Sequence, residues 1–434
     1  MTNKIGTTSF GSRHKWIPAL FITLAIVGAF AASPGYSQKS TATAVSPDPS
    51  SVAIGDTITY AATVTDTSAS PTTPSGSVSW ADGNVGGSFS NSGSCTLGTL
   101  DATSASCTVI YTPPSVAGTV TITATYTADV EHSGSSGTST LTVSLRTTST
   151  TVSPNPSTAI IGNTITYTAT VEDISPGSAS TPTGAVSWDD GGKGGSFSSS
   201  GSCTLASGSC TITYTPPSAA GSVTITATYG GDTTHSGSSG TSALTVNLRT
   251  SSTTVSPSPS SVTIGNTITF TATVADTSSG TSSTPTGAVS WGDGGKGGSF
   301  SNSGSCTLLS GTCTTVYTPP STHGSVTITA TYSGDPTHAG SSGTSSLTVL
   351  TPAQATQNVV KLVKSMNLPH GLTNSLDAKL RAAINSLNRG NPIPAKNQLN
   401  AFINEVRAQT GKKITSAQAT QLIAAASDII KALH

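Results

Sequence analysis

Through most of the chain, apolar and hydroxylated residues alternate with period two. In TITYTATV (164–171), Ile165, Tyr167, Ala169 and Val171 fall on one face, and Thr164, Thr166, Thr168 and Thr170 fall on the other. In VTITATY (223–229), Val223, Ile225, Ala227 and Tyr229 point one way. Such a strand is greasy on one side and wet on the other, which suits an antiparallel sheet with one face on a core. Pro-Pro, Gly-Gly and Ser-Gly clusters punctuate the strands. At about residue 351 the period changes. NVVKLVKSM, LDAKLRAAINSL, LNAFINEV and AQATQLIAAASDIIKAL place apolar residues every three or four positions, which predicts amphipathic helices. Gly390 and Gly411 are expected to close two of them, and Thr415 with Gln418 to open the last through a capping box. Leu376, Leu380, Ile384, Leu387, Leu399, Ile403, Val406, Leu422, Ile423, Ile429 and Ile430 are the expected core of a small four-helix bundle.

The strand-rich part repeats itself. SVSWADG (77–83) returns as AVSWDDG (185–191) and AVSWGDG (288–294), and TPPS recurs at 112, 215 and 318, each step 103 residues. That length is far beyond a solenoid repeat and fits a self-sufficient sandwich. With about seven short strands per unit, the prediction is a mainly β chain: three tandem immunoglobulin-like β-sandwiches, then a small all-α bundle. The expected boundaries are 1–37 for a signal peptide or N-terminal anchor, 41–145, 146–248 and 249–350 for the sandwiches, and 353–434 for the helices. The junctions LRTTSTTVSPNPS (145–157) and LRTSSTTVSPSPS (248–260) read as semi-stiff spacers.

Charge sharpens this division. Only 8% of residues are charged and the formal net charge is zero. The zero hides a net of −10 over 39–350 and +7 over 351–434. At the N-terminus, a basic stretch with Lys4, Arg13 and Lys15 precedes an apolar run from Trp16 to Ala32, and small residues follow. These are the three parts of an export signal, with cleavage expected after Ala31 or Ser37. Retention as a membrane anchor is the alternative, because the run sits at the short limit for a span.

Candidate chemistry is sparse. WDDGGKGGSF (188–197) has the look of a phosphate-cradling loop. It lacks the G-x-x-x-x-G-K-S/T spacing, no helix pattern follows it, and Lys193 and Lys296 are replaced by Val85 in the first unit. The glycines therefore read as a turn. Cys95, Cys107, Cys203, Cys210, Cys306 and Cys313 fall two to a unit. A hairpin around ASGS would set Cys203 opposite Cys210, so the expected disulfides are Cys95–Cys107, Cys203–Cys210 and Cys306–Cys313. Zinc-ligand spacing is absent, and no metal or cofactor is expected. His132, His235 and His338 each follow an aspartate (Asp129, Asp232, Asp335), an arrangement read as a polar turn between the last two strands. Trp80, Trp188 and Trp291 sit in strand-like V-S-W stretches and read as core. No catalytic set or G-x-S-x-G appears, so no enzyme is expected.

The pattern TTVSPNPS…IGNTITYTATV…PTGAVSW…SCTL…CTITYTPP…GSVTITATYGGD…SGTSALTV, over about 41–350, resembles the bacterial Ig-like domain repeats of surface and secreted proteins. That resemblance implies adhesive, spacer or structural roles and no catalytic residues. The stretch GLTNSLDAKLRAAINSLNRGN…AKNQLNAFINEVRAQTGKKITSAQATQLIAAASDII resembles the small helical module FIMAH. Its basic residues Lys361, Lys364, Lys379, Arg381, Arg389, Lys396, Arg407, Lys412 and Lys413 are a candidate face for an anionic wall polymer, glycan or lipid headgroup. The expectation is an exported cell-surface or secreted structural and adhesion protein, its repeats forming a stalk that presents this module. The alternative is an accessory carbohydrate- or wall-polymer-binding protein without catalysis. Expected partners are a surface glycan, an anionic polymer or a surface protein. Nucleic acid is not among them, and the membrane enters only through an uncleaved N-terminus.

Overall fold

A computed structural model describes residues 37–433; the export segment lies outside them. The chain folds as two compact units. One contains most of the first repeat up to Leu141, and the other takes in Ser51–Asp56, Pro113–Gly118 and everything from Thr142.

In the second repeat the alternating runs become nine short strands: β1 (Thr148–Ser153), β2 (Ser157–Ile160), β3 (Ile165–Asp173), β4 (Ala185–Asp189), β5 (Ser196–Phe197), β6 (Ser202–Thr204), β7 (Ser209–Thr215), β8 (Gly221–Tyr229) and β9 (Ser238–Asn247). They form two sheets, β1-β3-β7-β5 and β2-β9-β8-β4-β6. All pairings are antiparallel except β2 with β9. Tyr167, Ala169 and Val171 from one sheet meet Val223, Ile225, Ala227 and Tyr229 from the other, and all seven are buried. The threonines between them stay on the wet faces. The third repeat has the same two sheets in the same order. In the first, Thr41–Ser46, Ile58–Asp66, Ser104–Thr112 and Ser88–Phe89 make the corresponding four-strand path.

The three expected disulfides form, with Cα–Cα distances of 5.8–5.9 Å. Their setting differs from the expected hairpin. Cys203 lies on β6, in register with Val186, whereas Cys210 lies on β7, in register with Ala169. The bridge therefore ties one sheet to the other at the sandwich edge. Trp188 packs against it, with Nε1 3.2 Å from Cys203 Sγ. Trp80, Trp188 and Trp291 are all core residues, each under a tenth exposed.

The junctions are not spacers. Thr148–Ser153 and Ser251–Ser256 are strands of the modules they open, and only Leu248, Arg249 and Thr250 separate β9 from the next strand. The second and third sandwiches touch directly: Arg249 Nη1 donates to Ile161 O (3.0 Å) and Asn163 Nδ2 to Ser279 O (3.0 Å).

The C-terminal helices are α1 (Pro352–Ser365), α2 (His370–Asn388), α3 (Pro392–Gln409) and α4 (Ser416–Lys431). Thr415 and Gln418 form the expected capping box, and Thr351 with Gln354 forms another at the start of α1. Gly390 and Gly411 follow α2 and α3 with positive φ. The core contains Leu376, Leu380, Leu399, Ile403, Val406, Leu422 and Ile429 as expected, with Ile384, Leu387, Ile423 and Ile430 half-buried around it. α1 supplies Ala355, Val359, Val360 and Val363, which the sequence reading left out.

Because each disulfide closes a short loop across two sheets, the pair of substitutions Cys203→Ala and Cys210→Ala is expected to cost its sandwich about 2.5 kcal/mol by chain entropy. Guanidinium unfolding of the variant beside the parent measures this, and an unchanged midpoint would refute it.

Candidate functional site

The glycine-rich loop does cradle an anion, and the anion is the chain's own. Asp190 follows the end of β4 with its carboxylate turned into the loop. Its oxygens accept from the amides of Gly192 (3.0 Å), Lys193 (3.2 Å) and Gly195 (2.8 Å) and from the Tyr214 hydroxyl (2.8 Å). Gly192 and Gly194 supply the positive φ that aims these amides inward. Gly195 has no substitute, since a Cβ there would fall on the Tyr214 hydroxyl. Asp293 repeats the arrangement with Gly295, Lys296, Gly298 and Tyr317. Asp82 repeats it with Asn84, Gly87 and Tyr111. Burial pushes the Asp190 carboxyl up, but the Tyr214 hydroxyl and the three amides outweigh it and hold the group below the ordinary carboxylate value. Lys193 and Lys296 contribute only backbone amides, and their side chains are exposed.

The recurring Asp–His pairs are also spent internally. His235 is almost wholly buried. Its Nδ1 meets Asp232 at 2.9 Å, and because a carboxylate only accepts, Nδ1 carries the proton. Its Nε2 meets the Ser180 hydroxyl at 2.8 Å. Asp232 also accepts from the amides of Thr183, Thr234 and His235, so one carboxylate ties two loops together. The polar turn expected there is thus a clasp, and no open coordination position remains on it.

Beside each clasp lies a group that sequence reasoning missed. Arg146 is buried and its Nε donates to Asp173. Arg249 Nε donates to Asp276 at 2.7 Å. In the first repeat Lys39 stands in their place, 4.0 Å from Asp66. Backbone bridges from Lys39, Arg146 and Arg249 to His132, His235 and His338 align the three positions. The signal was present in the sequence as the recurring Leu-Arg of 145–146 and 248–249. Asp173 and Asp276 are pushed up by burial, but amides and the arginine bring them down to about 2.

The nine basic residues of the helical module divide rather than form one face. Lys379 is paired with Glu405 (2.6 Å) and Arg381 with Asp377 (2.8 Å). Arg389 caps α2 and Lys396 lies in the first turns of α3. Lys361 and Lys364 lie near the end of α1, Arg407 in the last turn of α3, and Lys412 and Lys413 in the following turn. Among the described residues, no three His, Cys, Asp or Glu side chains gather as a metal-binding group, and no helix is long and apolar enough to cross a membrane.

Two predictions follow from the buried aspartates. Asp190→Ala strands three amides and a hydroxyl, and should lower stability by about 3 kcal/mol. Lys193→Val, which installs the residue found at the same place in the first repeat, should stay within about 0.5 kcal/mol. Denaturant unfolding of both variants checks the contrast. Asp173 and Asp276 have folded values below the ordinary 3.8. Their contribution is therefore present above that value and is lost as pH falls through about 2. Stability should drop by roughly 2 kcal/mol per group between about pH 4 and pH 2. Denaturant midpoints measured across that window test this, and Asp276→Asn should flatten the third sandwich's response.

Residues 150–247 and 254–350 match the model of the bacterial Ig-like domain (group 3), and residues 353–431 match the FIMAH domain. No curated protein matches the chain. Solved structures similar to it include the Escherichia coli adhesin FdeC, at 16% identity over 71% of this chain and 96% of that one, with a TM-score of 0.23. They also include the Yersinia pseudotuberculosis adhesin InvE (15%, 49% and 60%, TM-score 0.24) and the I67–I69 fragment of the titin I-band (16%, 71% and 98%, TM-score 0.24). Likeness at that level carries no functional conclusion. The family matches and the repeated two-sheet modules agree: residues 150–247 and 254–350 are bacterial Ig-like domains (group 3), and residues 353–431 are a FIMAH domain.

Proposed function

We propose that this is an exported structural and adhesion protein of the cell surface or its surroundings, whose Ig-like modules act as a stalk for the helical module. One observation carries the reading. The recurring aspartates, histidines and glycines of the sandwiches are used up in holding their own loops, whereas the helical module keeps charged side chains without ion partners among the described residues. Short disulfides in every repeat suit an oxidising space outside the cytoplasm. In this reading the chain binds and holds, and does no catalysis. The accessory carbohydrate-binding alternative loses its aromatic platform, because the three recurring tryptophans are buried.

The test compares the full chain with a chain ending at Leu350, both expressed in the native host, with cells and medium assayed separately. Release of the shortened chain while the full chain stays on cells is the expected result. Equal partition of the two would remove the helical module from the role of dock.

A further inference from the structure

The docking reading above leaves open where on the helical module a partner sits, and the placement of its charges narrows this. α1 begins directly after the last strand of the third sandwich, and Asn266 Nδ2 of that sandwich donates to Asp428 O near the end of α4 (2.6 Å). The start of α1 and the end of α4 therefore face the sandwich. The opposite end of the bundle gathers the end of α1, the start of α2, the end of α3 and the start of α4. Gln418 Nε2 donates to Met366 O (3.2 Å) and fastens two of these together.

Lys361, Lys364, Arg407, Lys412 and Lys413 all belong to that far end, and all five are exposed. None has an ion-pair partner among the described residues, whereas every acidic residue of the module does: Asp377 with Arg381, Glu405 with Lys379, and Asp428 with Lys431. The far end thus carries five uncompensated positive charges. Lys364 and Arg407 occupy the last turns of their helices, where a cation is favoured by the helix dipole. Lys412 and Lys413 stand in the turn just after α3, their amides on Gln409 O, beside the same helix end.

The chemistry of the end selects among anions. Insertion into a membrane needs an apolar wedge beside the cations. The module's one large exposed apolar residue among those described is Ile393, at the start of α3 on the sandwich side. Stacking on sugar rings needs an exposed aromatic, and the module's single aromatic, Phe402, is fully buried. Four of the five cations are lysines, which bind phosphate as point charges without needing a bidentate geometry. The charges also straddle the bundle, since α1 and α3 both pack on α2 and on α4. With helices about 10 Å across, a small ion reaches one side only, while an extended chain of charges reaches both. We propose that the far end of the helical module binds a linear phosphate-bearing polymer, and that this polymer is what the stalk docks on.

The full chain is titrated with long-chain inorganic polyphosphate and with orthophosphate, and is sedimented with vesicles of phosphatidylglycerol and phosphatidylcholine. The expected result is saturable binding of the polymer that weakens linearly in log–log with salt, and no measurable binding of orthophosphate or vesicles. Lys361→Glu with Lys364→Glu, and Arg407→Glu with Lys412→Glu and Lys413→Glu, should each weaken the polymer about tenfold or more at ~50 mM salt. Neutral Lys→Gln and Arg→Gln versions should weaken it less while keeping the parent's unfolding midpoint. Arg389→Glu with Lys396→Glu, at the sandwich end, should leave binding within about twofold. Equal loss in that control, tighter binding to vesicles than to polymer, or no polymer binding would each overturn the proposal. Cell retention separates the two readings. A reversal variant that loses polyphosphate yet stays on cells sinks this proposal and spares the dock. A full chain that binds polyphosphate yet leaves cells as readily as the shortened one sinks the dock alone.

Discussion

A carboxylate taken out of water must be given hydrogen-bond donors, and each repeat is organised by meeting that demand three times. Asp173, Asp190 and Asp232 in the second sandwich lie deep among the loops and together accept eight backbone amide bonds within those loops. An unpaired buried carboxylate is costly, and a hydrogen bond to a charged group is worth about twice a neutral one. The loops are rich in Gly, Ser and Thr and would otherwise have little to order them. The aspartates supply that order, because the loop that satisfies one carboxylate has only one way to do so. A chain with 8% charged residues thus uses its acids as internal fasteners and leaves hydroxyls to face water.

This arrangement explains which features were legible in the sequence. Strand faces followed directly from period two, since Tyr167, Ala169 and Val171 are buried simply by pointing inward. Helix ends were legible where local chemistry decides them, as at Thr415 and Gln418. Cysteine pairing was correct while its geometry was not. The turn Ala206–Ser209 carries the chain from one sheet to the other, and a short spacing looks the same whether it folds back in one sheet or crosses between two. Arg146 was overlooked because its partner Asp173 is 27 residues away and its strand neighbours 88 to 90 away, so neither lies within any local pattern. The junctions read as spacers for the same reason: Pro and Ser dominate locally, while the contact that fixes them is long-range.

The duplication itself acts as a set of substitutions. Where Lys193 and Lys296 become Val85, the position is exposed and the loop keeps its shape. Where Arg146 and Arg249 become Lys39, the ammonium still reaches the aspartate, but at 4.0 Å and without the fork. Asp82, Asp190 and Asp293 with Tyr111, Tyr214 and Tyr317 do not vary, and each is under a tenth exposed. The substitutions that the duplication carries at these loops thus fall on exposed positions or keep the charge, and the internal fasteners are retained.

In this chain a β-sandwich is followed by modules of two different kinds. The turn Ile-Gly-Asn recurs at 161–163 and 264–266. In the first case Asn163 donates its amide to Ser279 O of the next sandwich, and in the second Asn266 donates to Asp428 O at the end of a helix. A side-chain amide needs only a carbonyl with a free lone pair, and both a loop and the last turn of a helix offer one. The turn is therefore indifferent to the class of fold that follows it. A sheet edge or a hydrophobic patch would require its complement; a single donor asks for an acceptor that every backbone carries. The same turn thus donates to a sandwich loop in one junction and to a helix end in the other, beside the Arg249 bond to Ile161 O in the first and the packing of Leu350 on the helical core in the second.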